Sequence, residues 1–134
     1  MFVFNVNVDF DNRLMETNTG DFSHLTFDEL HAEDERYKFQ GKFNRLKYPG
    51  GESISDVFAR HQQWLSACVE MYSTKIHNVL VVGHGGTANC ILHNLFNVPL
   101  ELYPAFNLAN GRYARVEVNN ESTPKLHCFN GGGE

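Results

Sequence analysis

The sequence predicts an α/β fold: a three-layer α/β/α sandwich around a mostly parallel sheet. Residues 78–82, Asn-Val-Leu-Val-Val, form a short continuous apolar run, the pattern of a parallel strand covered on both faces. That run stops at Gly-His-Gly-Gly, residues 83–86, and a helical pattern follows at once. Strand, helix, strand, helix and a closing hairpin then succeed one another along the chain, the order expected of a layered α/β domain.

The elements follow in order. Residues 3–10, Val-Phe-Asn-Val-Asn-Val-Asp-Phe, alternate apolar and polar positions as a half-buried strand does. Asp11, Asn12, Asn18 and Gly20 give the next segment the chemistry of a loop. Thr26 and Glu29 make a capping box that opens a short helix. Residues 31–48 are charged and aromatic without a clean period, which predicts a helix fragment plus loop. Pro49, Gly50 and Gly51 break the chain, and Ser53 with Asp56 forms a second capping box. The longest helix starts there, because Ile54, Val57, Phe58, His61, Leu65, Cys68, Val69 and Tyr72 recur at three- and four-residue steps. After the strand at 78–82, residues 87–96 are helical with Ile91, Leu92, Leu95 and Phe96 toward the core. Residues 112–118 alternate again and pair with 125–129 through the turn Asn-Asn-Glu-Ser-Thr-Pro, and the tail 130–134 is expected to fray. No repeat, linker or low-complexity tract divides residues 1–134, which are read as one domain.

Composition narrows the function classes. A net charge of -5 offers no broad basic surface, which argues against nucleic acid as a partner. No apolar run approaches the ~20 residues that span a bilayer, and the first residues are too polar and alternating for a signal peptide. Three cysteines, Cys68, Cys90 and Cys128, are an odd number at wide spacing, so a reducing, cytoplasmic setting is expected instead of a disulfide framework.

The chemistry points to His84. Functional residues of open α/β sheets gather where strands end and helices begin. Bare glycines around His84 clear the space before the helix, whose free N–H groups and positive dipole end attract an anion. A tolerated turn histidine in a tight connection fits the same local pattern, and from that pattern alone the two readings stand level. A Walker loop is excluded because no lysine follows Gly86, and the glycine spacing is not that of a dinucleotide fingerprint. Cys90 and His93 lie three apart on one helix, but no second ligand pair joins them. Cys90 is read as core and His93 as partly exposed, with no metal. Arg36, Lys38, Lys42, Arg45 and Lys47 form a loose basic stretch, read as a solvated surface ahead of a contact for an extra anionic group.

Residues 79–96, VLVVGHGGTANCILHNLF, resemble the second catalytic-histidine motif of the histidine phosphatase superfamily, the phosphoglycerate-mutase-like fold. Residues 13–30, RLMETNTGDFSHLTFDEL, are similar to that family's Arg-Leu-x-Glu segment and the Leu-Thr before its helix. Residues 48–65, YPGGESISDVFARHQQWL, resemble its Pro-Gly-Gly-Glu-Ser turn and helix, and residues 106–118, FNLANGRYARVEV, its later Asn-containing loop and strand. The likeness runs collinearly from about Asp11 to Val118. It implies phosphoryl transfer to a nucleophilic histidine, with a carboxylic acid protonating the leaving oxygen and with no metal or cofactor. By motif position His84 matches the histidine that steadies the phosphoryl group, and Glu16 matches the proton donor. Arg13, Gly85 and Gly86 join His84 as expected phosphate-binding groups, and Glu52 and Ser53 are expected to organise the turn and cap the helix.

The sequence departs from the family at one place. The family's nucleophile lies in an Arg-His-Gly motif after its first strand, and this sequence contains no such triplet. Its Arg60-His61 pair lies in the long amphipathic helix, with His61 on the apolar stripe, where a packing histidine is expected. Relative to the family the chain reads as truncated at its amino end, lacking the first strand, nucleophile loop and following helix. The expected ligand is a phosphorylated small molecule or a phosphate or sulfate anion, with weak or absent turnover. A non-catalytic pseudophosphatase that binds phosphate ligands or proteins is the alternative. The strand at 78–82 would then have an open edge, which residues 1–8 could partly fill or across which two copies could pair.

Overall fold

The computed structural model describes residues 6–132. Its regular elements are helices α1 (Phe27–Glu33), α2 (Ile54–Tyr72) and α3 (Gly85–Leu95), and strands β1 (Tyr113–Glu117) and β2 (Lys125–Gly131). Short 3₁₀ turns at Asn12–Leu14, Gly20–Phe22, Glu35–Lys38 and Leu100–Leu102 connect them.

Both predicted capping boxes form. In α1 the Thr26 hydroxyl accepts from the Glu29 N–H while the Glu29 carboxylate accepts from the Thr26 N–H. In α2 Ser53 and Asp56 exchange the same pair of bonds. Each box satisfies two N–H groups that a helix start would otherwise leave bare. The hairpin also forms, β1 pairing antiparallel with β2 through Arg115 opposite Cys128 and Glu117 opposite Lys125. The Asn119 side chain holds its turn by accepting from the N–H groups of Glu121 and Ser122.

Two apolar clusters make the core. One joins Ile54 and Val57 of α2 to Cys90 of α3 and to Tyr103, so α2 and α3 pack directly together. The other joins Leu30, Tyr37 and Tyr48, the two tyrosine rings stacked at 4.6 Å between centroids. The stripe predicted for α2 is buried only over its first half, at Ile54, Val57 and His61. Leu65, Cys68, Val69 and Tyr72 stay half-buried, Tyr72 against the His77 ring at 4.7 Å and Leu65 and Val69 beside an open hollow that Asn120 borders.

The predicted sheet is corrected. Among the described residues the strands form one two-stranded antiparallel sheet, not a mostly parallel one. Residues 78–82 form no strand, and Val79, Leu80 and Val82 are 47%, 85% and 82% exposed. Of the strand predicted at 3–10, residues 3–5 lie outside the described part and 6–10 are unpaired and exposed. A strand exists only through a neighbour, and an apolar run in the sequence specifies what is to be buried without supplying what buries it.

Candidate functional site

The site gathers at the start of α3. His84 is the residue that precedes its first turn, with extended backbone (φ -98, ψ 169) and no capping bond from its side chain. Its carbonyl accepts from Ala88 N–H at 3.0 Å, so the imidazole is free of the helix and 67% exposed. The Glu16 carboxylate approaches it, Oε2 lying 3.9 Å from His84 Nδ1, with the other oxygen accepting from Thr17 N–H at 3.0 Å. The structure therefore brings together the two residues singled out from the sequence.

Gly86 explains how they meet. A Cβ there would stand 2.5 Å from Glu16 Oε1 and 3.4 Å from the Tyr103 hydroxyl, so this glycine leaves the space that the carboxylate occupies. At Gly85 a Cβ would meet nothing within 4 Å, and its carbonyl accepts from the Asn89 side chain. Thr87 ties the helix to the other wall, its hydroxyl donating to the Leu14 carbonyl at 3.1 Å.

Arg60 fixes that wall. Its guanidinium spans both Glu52 carboxylate oxygens, at 2.9 and 3.0 Å. It also donates to the carbonyls of Arg13, Met15 and Glu16 at 2.8, 2.7 and 3.1 Å. The Arg60 bond is the main cause that holds the Glu52 carboxyl below its ordinary range. Glu52 in turn accepts from Asn18 N–H, so it organises the turn as expected, while Ser53 caps α2. Gly20, in the left-handed region at φ +54, lets residues 18–20 lie against residues 49–51.

The remaining expected site residue sits differently. Arg13 is engaged by Asp11 through a two-point fork, at 2.9 Å from Nε to Oδ1 and 2.6 Å from Nη2 to Oδ2. Its hydrogen bonds push the Asp11 carboxyl down to about 2. His61 is fully buried, as its stripe position predicts. Its Nδ1 meets the Val57 carbonyl at 2.8 Å and its Nε2 has no partner among the described residues. Burial is the main cause that lowers its pKa below the ordinary histidine value.

His93 is a correction: it is fully buried, not partly exposed. Ala105 N–H donates to its Nε2 at 3.1 Å, so a neutral ring carries its proton on Nδ1 and donates to the Val98 carbonyl, also at 3.1 Å. Both partners are backbone groups of the turn that follows α3. Cys90 is buried as expected, and burial pushes its thiol up to about 12. Among the described residues no cluster of three His, Cys, Asp or Glu could hold a metal, and no helix is long and apolar enough to cross a membrane. In the basic stretch Arg36 pairs with Asp34 and Lys47 with Asp56, while Lys42 and Arg45 line an open hollow with Phe43 and Phe58.

Arg60, Thr87 and Tyr103 escaped the sequence reading. Arg60 and Thr87 act on main-chain carbonyls, which leave no mark in a side-chain pattern. Tyr103 is buried against Cys90 with its hydroxyl beside Gly86, and only its aromatic character hinted at core.

The model of the histidine phosphatase superfamily (branch 1) matches residues 2–130. The chain belongs to the histidine phosphatase superfamily. Among curated members, the probable phosphoglycerate mutase GpmB of Erwinia tasmaniensis is 29% identical over 110 residues, covering 80% of this chain and 50% of that protein. Its namesake in Salmonella newport is 26% identical over 113 residues, covering 83% and 52%. The chain thus spans about half the length of the curated relatives it matches. Among solved structures, the α-ribazole phosphatase of Shigella flexneri superposes with a TM-score of 0.77 at 22% identity, over 97% of this chain and 65% of that one. A mycobacterial glucosyl-3-phosphoglycerate phosphatase in complex with VO3 gives 0.75 at 25%, over 96% and 65%. The α/β class read from the sequence is therefore that of the family fold, although the parallel sheet does not form among the described residues.

Proposed function

We infer that the crevice at the head of α3 is a seat for phosphate or a phosphomonoester. His84 and the first N–H groups of α3 hold the anion, and Glu16, in its acid form, is the group placed to protonate a leaving oxygen. The carrying observation is the 3.9 Å approach of Glu16 Oε2 to His84 Nδ1 at the open end of an eleven-residue helix. The VO3 complex of the mycobacterial phosphatase supports the ligand class, since in that protein the fold accepts a phosphate-like oxyanion. Residues 1–134 act as one domain in this reading, and Arg13 enters the seat only by exchanging Asp11 for the anion.

Binding is favoured over turnover in this chain. Transfer by this family's chemistry requires a histidine that can attack phosphorus. His61, the histidine of the Arg-His pair, is fully buried, with Nδ1 engaged by the Val57 carbonyl. The competing reading is slow hydrolysis with His84 itself attacking, favoured by the exposure of its ring.

Phosphate titration followed by thermal unfolding tests the seat. At ten times the dissociation constant, the wild-type protein should gain about 1.4 kcal/mol and His84→Ala should gain nothing. Equal melting temperatures with and without phosphate at about 0.1–0.3 M, ionic strength being matched with chloride, would remove the reading. Release of 4-nitrophenol from its phosphate ester separates the two versions. Turnover that disappears in His84→Ala would establish the enzyme, whereas equal background rates leave a binding site.

A further inference from the structure

We propose that Tyr103 is a binding residue of the crevice, its hydroxyl donating to an oxygen of the bound phosphate beside Glu16. This rests on the phosphate reading and adds to it a neutral donor that the charged groups do not supply.

Tyr103 is 8% exposed, and its ring packs with Ile54, Val57 and Cys90. A buried tyrosine hydroxyl ordinarily finds a hydrogen-bond partner. Among the described residues this one has none, and His61 Nε2 is the one polar side-chain atom there that is both sealed and unpartnered. The Tyr103 oxygen therefore reaches solvent. Gly86 marks the place: a Cβ there would stand 3.4 Å from that oxygen and 2.5 Å from Glu16 Oε1. Hydroxyl and carboxylate thus flank one bare spot on the first turn of α3, and Glu16 Oε2 lies 3.9 Å from His84 Nδ1.

The backbone around Tyr103 holds the oxygen there. Its N–H donates to the Leu100 carbonyl at 3.0 Å. Ala105 N–H donates to His93 Nε2 at 3.1 Å and Phe106 N–H to Asn89 Oδ1 at 2.9 Å, both side chains standing on α3. On the far side a Cβ on Gly41 would stand 2.6 Å from the Tyr103 carbonyl, so the two segments pack closely. The helix that offers the anion its N–H groups therefore also fixes the turn that carries the tyrosine. All of these ties lie within the described residues, and a donor fixed in advance costs little to order when a ligand arrives.

Burial, more than any neighbouring charge, pushes the hydroxyl's pKa above the ordinary tyrosine value, so it keeps its proton and offers it to an acceptor. A charged Glu16 repels an anion in the crevice, and an O–H facing the same spot offsets part of that. Water serves the donor until an anion displaces it.

Tyr103→Phe removes the oxygen and keeps the ring in the core. Without phosphate its melting temperature should stay within about 2 °C of wild type, because no protein group loses a partner. The dissociation constant for phosphate, from thermal unfolding with ionic strength matched by chloride, should rise about fivefold, the net worth of one hydrogen bond. Stabilisation at about 0.3 M phosphate should then fall to roughly half. In wild type labelled with carbon-13 at tyrosine Cζ, one of the five tyrosine signals should move with phosphate and not with chloride. That signal should be missing from Tyr103→Phe. Equal phosphate stabilisation of both proteins, or no moving tyrosine signal, would overturn the role of Tyr103 and leave the phosphate seat standing. A wild type that phosphate does not stabilise would end both readings. A variant that melts well below wild type without phosphate would show the hydroxyl already bonded within the fold, and that too overturns its role.

Discussion

Arg60→Ala is the perturbation on which the site reading bears most directly. The side chain makes a bidentate ion pair with Glu52 and donates to three carbonyls of residues 13–16. Arg60 and Glu52 are 19% and 26% exposed, so the pair is mostly but not wholly removed from water. Breaking a fully buried pair costs about 3–5 kcal/mol, because one charge is left without a partner. Water reaching the remaining surface recovers part of that, and the expected loss is about 2–3 kcal/mol. For a chain of this size that lowers the melting temperature by about 10 °C. Urea unfolding at neutral pH measures it, with Glu52→Gln and the double variant closing a thermodynamic cycle. The coupling energy should exceed about 1 kcal/mol, since the two residues act through one another. Acid provides a second readout. Glu52 has a depressed carboxyl in the folded state, so its contribution is present above the ordinary value of 4.5 and is lost as pH falls through the folded one. Arg60→Ala removes the largest cause of that depression, so the variant should lose less stability on acidification than the wild type does. An Arg60→Ala protein within about 0.5 kcal/mol of wild type, or additive effects in the cycle, would refute the account of how Glu16 is placed.

Two further substitutions probe particular atoms. Gly86→Ala puts a methyl group where Glu16 Oε1 lies, while Ala favours the helix by up to about 1 kcal/mol. The melting temperature should hold or rise as phosphate-induced stabilisation falls, and unchanged phosphate stabilisation in Gly86→Ala would sink the close-approach argument. His61→Leu removes the partnerless Nε2 and should stabilise by about 1 kcal/mol at pH 7 in urea unfolding. Its advantage should grow toward pH 5, because the unfolded histidine takes up a proton below about 6.5 that the buried ring refuses.

What the sequence revealed, it revealed through local rules. Thr26 with Glu29 and Ser53 with Asp56 satisfy helix starts within three residues of themselves, and the hairpin is fixed by alternation and its turn. His84 and Glu16 became legible together through the family motifs, since nothing in spacing connects residues so far apart in the chain. The failures share one cause. His93 reads as partly exposed in the sequence because its hydrogen-bond partners are main-chain groups at 98 and 105, where no side chain advertises them. Arg60 was passed over for the same reason. The run at 78–82 shows the complementary limit, for its composition records an expected burial and is silent about the neighbour that would provide it.

The site's construction has a consequence for affinity. Glu16 and His84 are aligned by loops and two helices: Thr87 holds Leu14, Arg60 holds the carbonyls of 13, 15 and 16, and Glu52 links Arg60 to Asn18. None of these ties passes through residues 78–82, so the crevice can form whether or not that edge is paired. The same construction leaves it open, with His84 67% and Glu16 45% exposed. An anion bound there keeps much of its water, and charge pairs in such surroundings contribute at most about 1 kcal/mol each. The dipole of α3 adds a comparable amount, about 0.3–1 kcal/mol, and both are screened by salt. Affinity for free phosphate should therefore be weak, with a dissociation constant on the order of tens of millimolar, and should fall further with ionic strength. Tighter or salt-insensitive binding would mean that further groups close over the crevice, and the edge leading into Gly83 and His84 is the nearest place from which a covering segment could bring them.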